Sequence, residues 1–304
     1  MNSNLLTDNP RLTVAAPALR TKAELRSVLE QPRREGRTIG LVPTMGFLHE
    51  GHLSLIRAAR AECDLVVMSL FVNPTQFGPA EDIDRYPRDE ERDLQLAAEA
   101  GADLVFAPAV EEVYPGDFST QVEVTGSLTT VLDGDPSHRG PEHFRGVTTV
   151  VAKLFNIVGP DVAYFGQKDA QQALVIRRMV RDLDFPVRIE VLPIVREPDG
   201  LAMSSRNAYL EPRDRERATA LSRALAAAAK GARAGSLADG LEAARRELES
   251  AGIEPEYLEA RDAETLEPVH ALEDRPVLIA VAARVGAARL IDNVLIHPTA
   301  TSDI

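Results

Sequence analysis

Through most of the first 194 residues, short continuous apolar runs alternate with longer stretches whose apolar residues recur every three or four positions. The runs suit strands covered on both faces, and the longer stretches suit amphipathic helices. Thr21 and Glu24 stand three apart ahead of Leu25, Val28 and Leu29, the spacing of a capping box, and predict a helix to about residue 31. A strand follows at 38–42, a helix carrying Leu53, Ile56 and Ala59, and a strand at 65–71. Residues 88–100 read as a charged helix that Gly101 closes in the left-handed conformation, followed by a strand at 104–107. Helices are expected at 147–158 and 170–183, and strands at 162–165 and 187–191. Such alternation implies parallel β-α units, so the expected class is α/β, a Rossmann-like doubly wound parallel sheet.

The texture changes after residue 194. A loop-rich passage at 193–212 leads into two Ala-rich helices, at 213–231 and 237–251, and three strand-like runs at 257–260, 277–282 and 289–296, with Gly286 at the last turn. This predicts two domains: 1–194, Rossmann-like, and 195–304, a smaller α+β C-terminal domain. Residues 1–12 and 299–304 are expected to fray.

A net charge of −13 with no long basic run argues against a nucleic-acid partner. No apolar run is long enough to span a membrane, and the first residues lack a signal peptide's basic and apolar parts. The only cysteine, Cys63, excludes an intrachain disulfide and fits a reducing cytoplasm. It reads as a small buried hydrophobe, because no base is evident that would make it a nucleophile.

Chemistry gathers where the strand at 38–42 gives way to a helix. Pro43 to His52 places His49 and His52 around Gly51, with Gly46 just upstream. A helix start offers N–H groups and partial positive charge, glycines admit a phosphate, and imidazoles add donors. Three readings stand: phosphate contact, core or capping histidines, and metal binding, the last lacking a third ligand and the i, i+4 spacing of zinc-protease helices. Gly166, Gln167, Lys168 and Asp169 form a second strand-to-helix junction, with Lys168 as a point charge for phosphate, or an ordinary solvated turn. Met203, Ser204, Ser205 and Arg206 supply two hydroxyls and a guanidinium, or a polar interdomain linker. Gln76, between Phe71 and Phe77, suits recognition of a hydroxyl or carboxylate, or a structural turn. His143 and Arg145 border the same region or merely introduce a helix. Neither the P-loop nor the Gly-x-Gly-x-x-Gly pattern is present.

Together, the runs at 43–52, 71–87, 143–158, 160–172 and 195–210 resemble the pantoate–β-alanine ligase family over roughly residues 14–296. The His-x-Gly-His run alone would indicate only the wider nucleotidyltransferase superfamily; the glutamine blocks and the Met-Ser-Ser-Arg run are more specific. The resemblance implies that pantoate's carboxylate attacks the α-phosphorus of ATP, and that β-alanine then displaces AMP from pantoyl adenylate. It implies ATP contacts at Met45, Gly46, Phe47, Leu48, His49, Glu50, Gly51, His52, Gly166, Gln167, Lys168, Asp169, Val195, Met203, Ser204, Ser205 and Arg206. It further implies pantoate between Gln76 and Gln172, β-alanine near Gln76, and catalytic roles for His52, His49, Lys168, Ser204, Ser205 and Arg206. On this likeness the first domain binds nucleotide and pantoate, and the second closes over the ATP site. The resemblance also implies Mg2+ with ATP, for which Asp89 and Asp93 are candidate ligands, and a homodimer. Gln167 stands where the family often has glutamate, the 132–141 stretch is longer than usual, and the residues before Thr13 match nothing in the family. Two other functions remain open: a different adenylate-forming or nucleotidyl-transferring enzyme, and a catalytically silent nucleotide-binding module.

Overall fold

The computed structural model describes residues 15–78 and 81–298. The N-terminal extension and the ends expected to fray, 1–12 and 299–304, lie outside the described residues. The elements run β1 (Ala18–Leu19), α1 (Lys22–Arg34), β2 (Ile39–Thr44), α2 (Glu50–Glu62), β3 (Leu65–Leu70), α3 (Glu90–Ala100), β4 (Leu104–Phe106) and α4 (Val110–Val113). Then come α5 (Pro141–Val158), β5 (Val162–Gly166), α6 (Ala170–Asp182) and β6 (Arg188–Leu192). The chain continues through α7 (Pro212–Ala218), α8 (Ala220–Arg233), α9 (Leu237–Ser250), β7 (Pro255–Asp262), β8 (Val277–Val285) and β9 (Ala288–Ile296).

Two compact units emerge. The first runs to Val124 and takes in Glu142–Gly166 and Val175–Leu192; the second comprises Thr125–Pro141, Gln167–Leu174 and the chain from Pro193. Residues 125–141 and 167–174 therefore cluster with the C-terminal elements, although they precede residue 195 in sequence.

In the first unit six parallel strands pair in the order β1-β4-β3-β2-β5-β6. Alternate residues face opposite sides of a strand, and two apolar clusters divide accordingly. Leu41, Val67, Phe106 and Ala163 join Leu25 and Leu29 of α1 and the inner face of α5. Val42, Val66, Met68 and Tyr164 join Leu55, Ile56 and Ala59 of α2 and Ala97 of α3. Burial on both faces explains why these strands read as continuous apolar runs. The order reverses at β2, which has β3 on one side and β5 on the other, so the loop after β2 occupies the switch point.

Local chemistry sets the ends. The Thr21–Glu24 capping box opens α1 as expected, and Gly101 closes α3 at φ 107°. α5 begins six residues earlier than its apolar pattern suggests, on Pro141, whose missing N–H costs nothing in a first turn. The helix expected at 213–231 is instead two, α7 and α8, broken where the Thr219 hydroxyl donates to the Glu216 carbonyl, in competition with the helix ladder. β1, of two residues, is too short to leave a pattern.

In the second unit, β7, β8 and β9 form an antiparallel sheet under α8 and α9. Leu221, Leu225, Leu248, Ile279 and Val281 centre its core. Alanines and glycine let the two helices approach closely: a Cβ on Gly231 would lie 2.3 Å from the Gly240 Cα.

Candidate active site

At the switch point Gly46 and Phe47 take consecutive left-handed conformations, φ 86° and 51°. Their peptide groups then face one way, and the N–H groups of Phe47 and Leu48 each donate to an oxygen of Asp93, both at 2.7 Å. Asp93 lies on α3 and is 1% exposed. Burial pushes its carboxyl above the usual range, opposed by those two N–H bonds. Arg92, beside it, donates to the Leu48 carbonyl at 3.0 Å and lies over the Phe47 ring.

α2 then starts with its own histidines as caps. His49, at the N-cap, accepts the Gly51 N–H on Nδ1 at 3.2 Å, and His52 Nδ1 accepts the His49 N–H at 3.4 Å. The rings lie 4.1 Å apart. A neutral imidazole that accepts on Nδ1 carries its proton on Nε2, so both caps make Nε2 the donor. The capping and phosphate readings are therefore compatible: one nitrogen organises the helix start and the other offers a proton. Glu50 turns its carboxylate to Arg57.

Gln76 is buried in a 3-10 turn, Pro74–Gln76. Its Oε1 accepts from Asn73 Nδ2 at 3.0 Å, which orients the amide, and its Nε2 lies 3.3 Å from Met45 Sδ. The Asn73 Oδ1 accepts from the Thr75 hydroxyl and the Tyr114 hydroxyl, both at 2.9 Å. His143 Nδ1 sits 2.7 Å from the Gln76 carbonyl oxygen. α5 approaches so closely that a Cβ on Gly146 would lie 2.2 Å from the Thr75 carbonyl oxygen. The structure thus joins Met45 and Gln76, and places His143 with them. Asn73 and Tyr114 were not legible as contributors, because Asn73 reaches beyond its own run to Tyr114 and Gly146 in remote segments; Asp93 was expected only as a candidate magnesium ligand.

In the second unit, Gln167–Asp169 forms a 3-10 turn leading into α6. Lys168 Nζ lies 3.6 Å from Asp169 Oδ1. Asn293 of β9 donates to the carbonyls of Gln167 and Lys168, each at 2.9 Å, and accepts from Gln167 Nε2 at 3.2 Å. Two adjacent glutamines divide their tasks. Gln171 is buried, donates to the Leu128 and Val131 carbonyls and accepts the Asp133 N–H. Gln172 is half-buried.

The passage anticipated as linker or loop is an ordered hairpin. The Met203 N–H donates to the Val195 carbonyl at 3.0 Å, and Arg196 bridges Ala202. Ser204 then caps a 3-10 turn, Ser205–Tyr209, by accepting the Arg206 N–H. The lengthened 132–141 stretch is also anchored: Asp133 accepts from Tyr257 and Arg289, each at 2.8 Å. Burial alone would raise the Asp133 carboxyl, but the Arg289 guanidinium beside it brings it down to about 2.

Asp89 and Asp93 do not fit a magnesium site. Asp93 spends both oxygens on the Gly46 loop, and Asp89 caps α3 through the Arg92 N–H. Among the described residues no group of three or more His, Cys, Asp or Glu side chains is arranged to hold a metal ion.

A doubly wound parallel sheet whose switch-point loop opens a histidine-capped helix defines a class of α/β proteins suited to binding phosphates. Within that class the solved relatives are specific. The pantothenate synthetase of Thermus thermophilus superposes with a TM-score of 0.87 at 50% identity, covering 93% of this chain and 100% of that one. The pantoate–β-alanine ligase of Francisella tularensis, complexed with beta-gamma ATP and β-alanine, gives 0.77 at 34% identity, covering 92% and 98%. The pantothenate synthetase of Moorella thermoacetica is 57% identical over 286 residues, 92% of this chain and 98% of that one. The chain belongs to the pantoate–β-alanine ligase family, whose model matches residues 17–295, and it is a ligase.

Proposed function

We propose that this ligase condenses pantoate with β-alanine in two steps at the expense of ATP. A carboxylate oxygen of pantoate attacks the α-phosphorus of ATP; that P–O bond forms as the bond to pyrophosphate breaks. The β-alanine amine then attacks the acyl carbon of pantoyl adenylate, AMP leaves with the bonding electrons, and the nitrogen gives up a proton as the amide forms. The observation that carries the reading is the pair of histidine caps, which makes Nε2 the donor of both His49 and His52 at a helix start. Donors of this kind stabilise charge that grows on phosphoryl oxygens during attack.

Lys168, Ser204, Ser205 and Arg206 supply the remaining donor types, and Met45, Gly46, Phe47, Leu48, Glu50, Gly51, Gly166, Gln167, Asp169, Val195 and Met203 the surrounding ATP contacts. The fixed amide of Gln76 favours a neutral grip on pantoate and β-alanine, with Gln172 as its counterpart for pantoate. A neutral grip leaves the acid's carboxylate nucleophilic. The beta-gamma ATP and β-alanine complexed with the Francisella relative support this choice of substrates. Mg2+ would enter with the triphosphate. The single buried thiol, Cys63, supports a reducing cytoplasm, and the family likeness supports a homodimer.

Pyrophosphate release from ATP, measured with and without pantoate, tests the proposal. Release should require pantoate, and AMP should appear on adding β-alanine. His52→Ala and Lys168→Ala should each lose about 10²–10³ in rate while staying folded. Acid-independent release, or near-normal turnover in either variant, overturns the reading. No helix among the described residues is long and apolar enough to cross a membrane, so the assay needs no lipid.

A further inference from the structure

Two segments assigned above to ATP, the Lys168 turn and the hairpin that leads to Met203–Arg206, are both tied to one dipeptide of β9. Neighbouring side chains of a strand face opposite sides, so adjacent residues can serve separate elements. Asn293 is 4% exposed, and its amide makes all three of its bonds to the backbone and side chain of the Lys168 turn. Asp292 is 3% exposed and receives a forked pair from Arg196, at 2.6 and 3.0 Å. Arg196 also donates to the Gly200 carbonyl at 3.1 Å, closing the hairpin onto the strand.

β9 does not need these residues for its own pairing, which is made by backbone to β8. Asn and Asp are poor strand formers, and burying them costs free energy unless every polar atom is matched. Here the matches all go to the two segments or back to the strand itself. A 3-10 turn has weak internal hydrogen bonds, so the direction in which Lys168 leaves the backbone depends on what holds the carbonyls on either side. We propose that Asp292 and Asn293 are positioning residues that hold Lys168 and the Met203–Arg206 segment in one fixed relation for adenylate formation. This rests on the assignment of those two segments to ATP.

Displacing a reacting or charge-stabilising group by about 1 Å costs on the order of a hundredfold in rate. Asn293→Asp keeps the shape but sets a carboxylate against two carbonyls. Its pantoate-dependent pyrophosphate exchange should fall about 10- to 100-fold in kcat, with KM for pantoate unchanged and the thermal transition still cooperative. Because the effect passes through Lys168, Asn293→Asp placed on Lys168→Ala should slow exchange little beyond Lys168→Ala alone. Arg196→Lys, which keeps charge and loses the fork, should likewise add little to Arg206→Ala. Normal exchange in folded Asn293→Asp, or a double variant that loses the product of both single effects, overturns the proposal. Normal exchange in Lys168→Ala alone removes instead the ATP assignment beneath it. Should Asn293→Asp fail to fold, Asn293→Ser carries the same two outcomes.

Discussion

The loop after β2 and the turn after β5 offer similar donors but are held in opposite ways. The first largely caps itself: His49 and His52 bond to backbone within three residues, and Asp93 secures the two positions just before them. The second borrows its geometry, since the carbonyls of Gln167 and Lys168 are fixed by Asn293, more than a hundred residues on. A helix start can satisfy its first N–H groups with its own side chains, whereas a short 3-10 turn has little to offer itself. The first loop should therefore tolerate changes elsewhere in the fold, and the second should not.

The sharpest break lies in the borrowed scaffolding of the second unit. Arg289→Ala leaves the Asp133 carboxylate buried beside the Tyr257 hydroxyl without the guanidinium that pairs with it, and should cost about 3–5 kcal/mol in urea unfolding. The pH dependence should weaken as well. In the parent, the Asp133 carboxyl is held near 2 against an ordinary 3.8, so its stabilisation is complete above pH 4 and is lost as pH falls through 2. That difference corresponds to about 2 kcal/mol. Without the guanidinium, burial is opposed only by the Arg139 charge and the Tyr257 hydroxyl, so the carboxyl should rise from about 2 and the variant should lose less stability than the parent as pH falls from 4 to 2. Parallel stability curves for parent and variant between pH 4 and 2 would show that Asp133 does not anchor the 132–141 stretch through its charge.

Gly46 probes the self-capped loop. A Cβ there would meet Leu70 Cδ1 at 2.6 Å and Asp93 Oδ2 at 2.9 Å, in a left-handed backbone that L side chains resist. Gly46→Ala should cost about 2–3 kcal/mol, through strain and through displacement of Asp93 from the two N–H groups. Because α2 keeps its histidine caps, helix content should survive, and circular dichroism checks this. Loss of helical signal in the folded variant would mean that the loop depends on Asp93 more than on its own side chains.

How legible each region is follows the same division. The alternation of apolar runs and helical periods gave away the parallel sheet, and Thr21, Gly101 and the His49–His52 run marked ends whose partners lie within a few residues. Asn73, Asp292 and Asn293 carried no such mark, because each bonds to a segment distant in sequence, and Asp93 was marked for magnesium rather than for the loop that it holds. Gln171 and Gln172 show the limit most clearly. Adjacent and chemically identical, they differ only in what the fold sets beside them: Leu128, Val131 and Asp133 for Gln171, and none of these for Gln172. The 193–212 passage had loop composition, and its order comes from the Val195–Met203 backbone bond and the Arg196–Asp292 fork.

The smallest effect on stability separates the two tasks of one imidazole. Asparagine is among the best N-cap residues, so His49→Asn should keep the cap and change stability by less than about 0.5 kcal/mol, whereas His49→Ala should lose about 1 kcal/mol. Both remove the Nε2 donor. If that donor stabilises charge on ATP's phosphates, the two variants should lose pyrophosphate release alike, by about a hundredfold, despite their different stabilities. A rate that follows stability instead, normal in His49→Asn and reduced in His49→Ala, would assign His49 to the helix start alone. His52 would then be the only imidazole of the pair left for the chemistry, since its Nδ1 likewise accepts a backbone N–H and leaves Nε2 as donor.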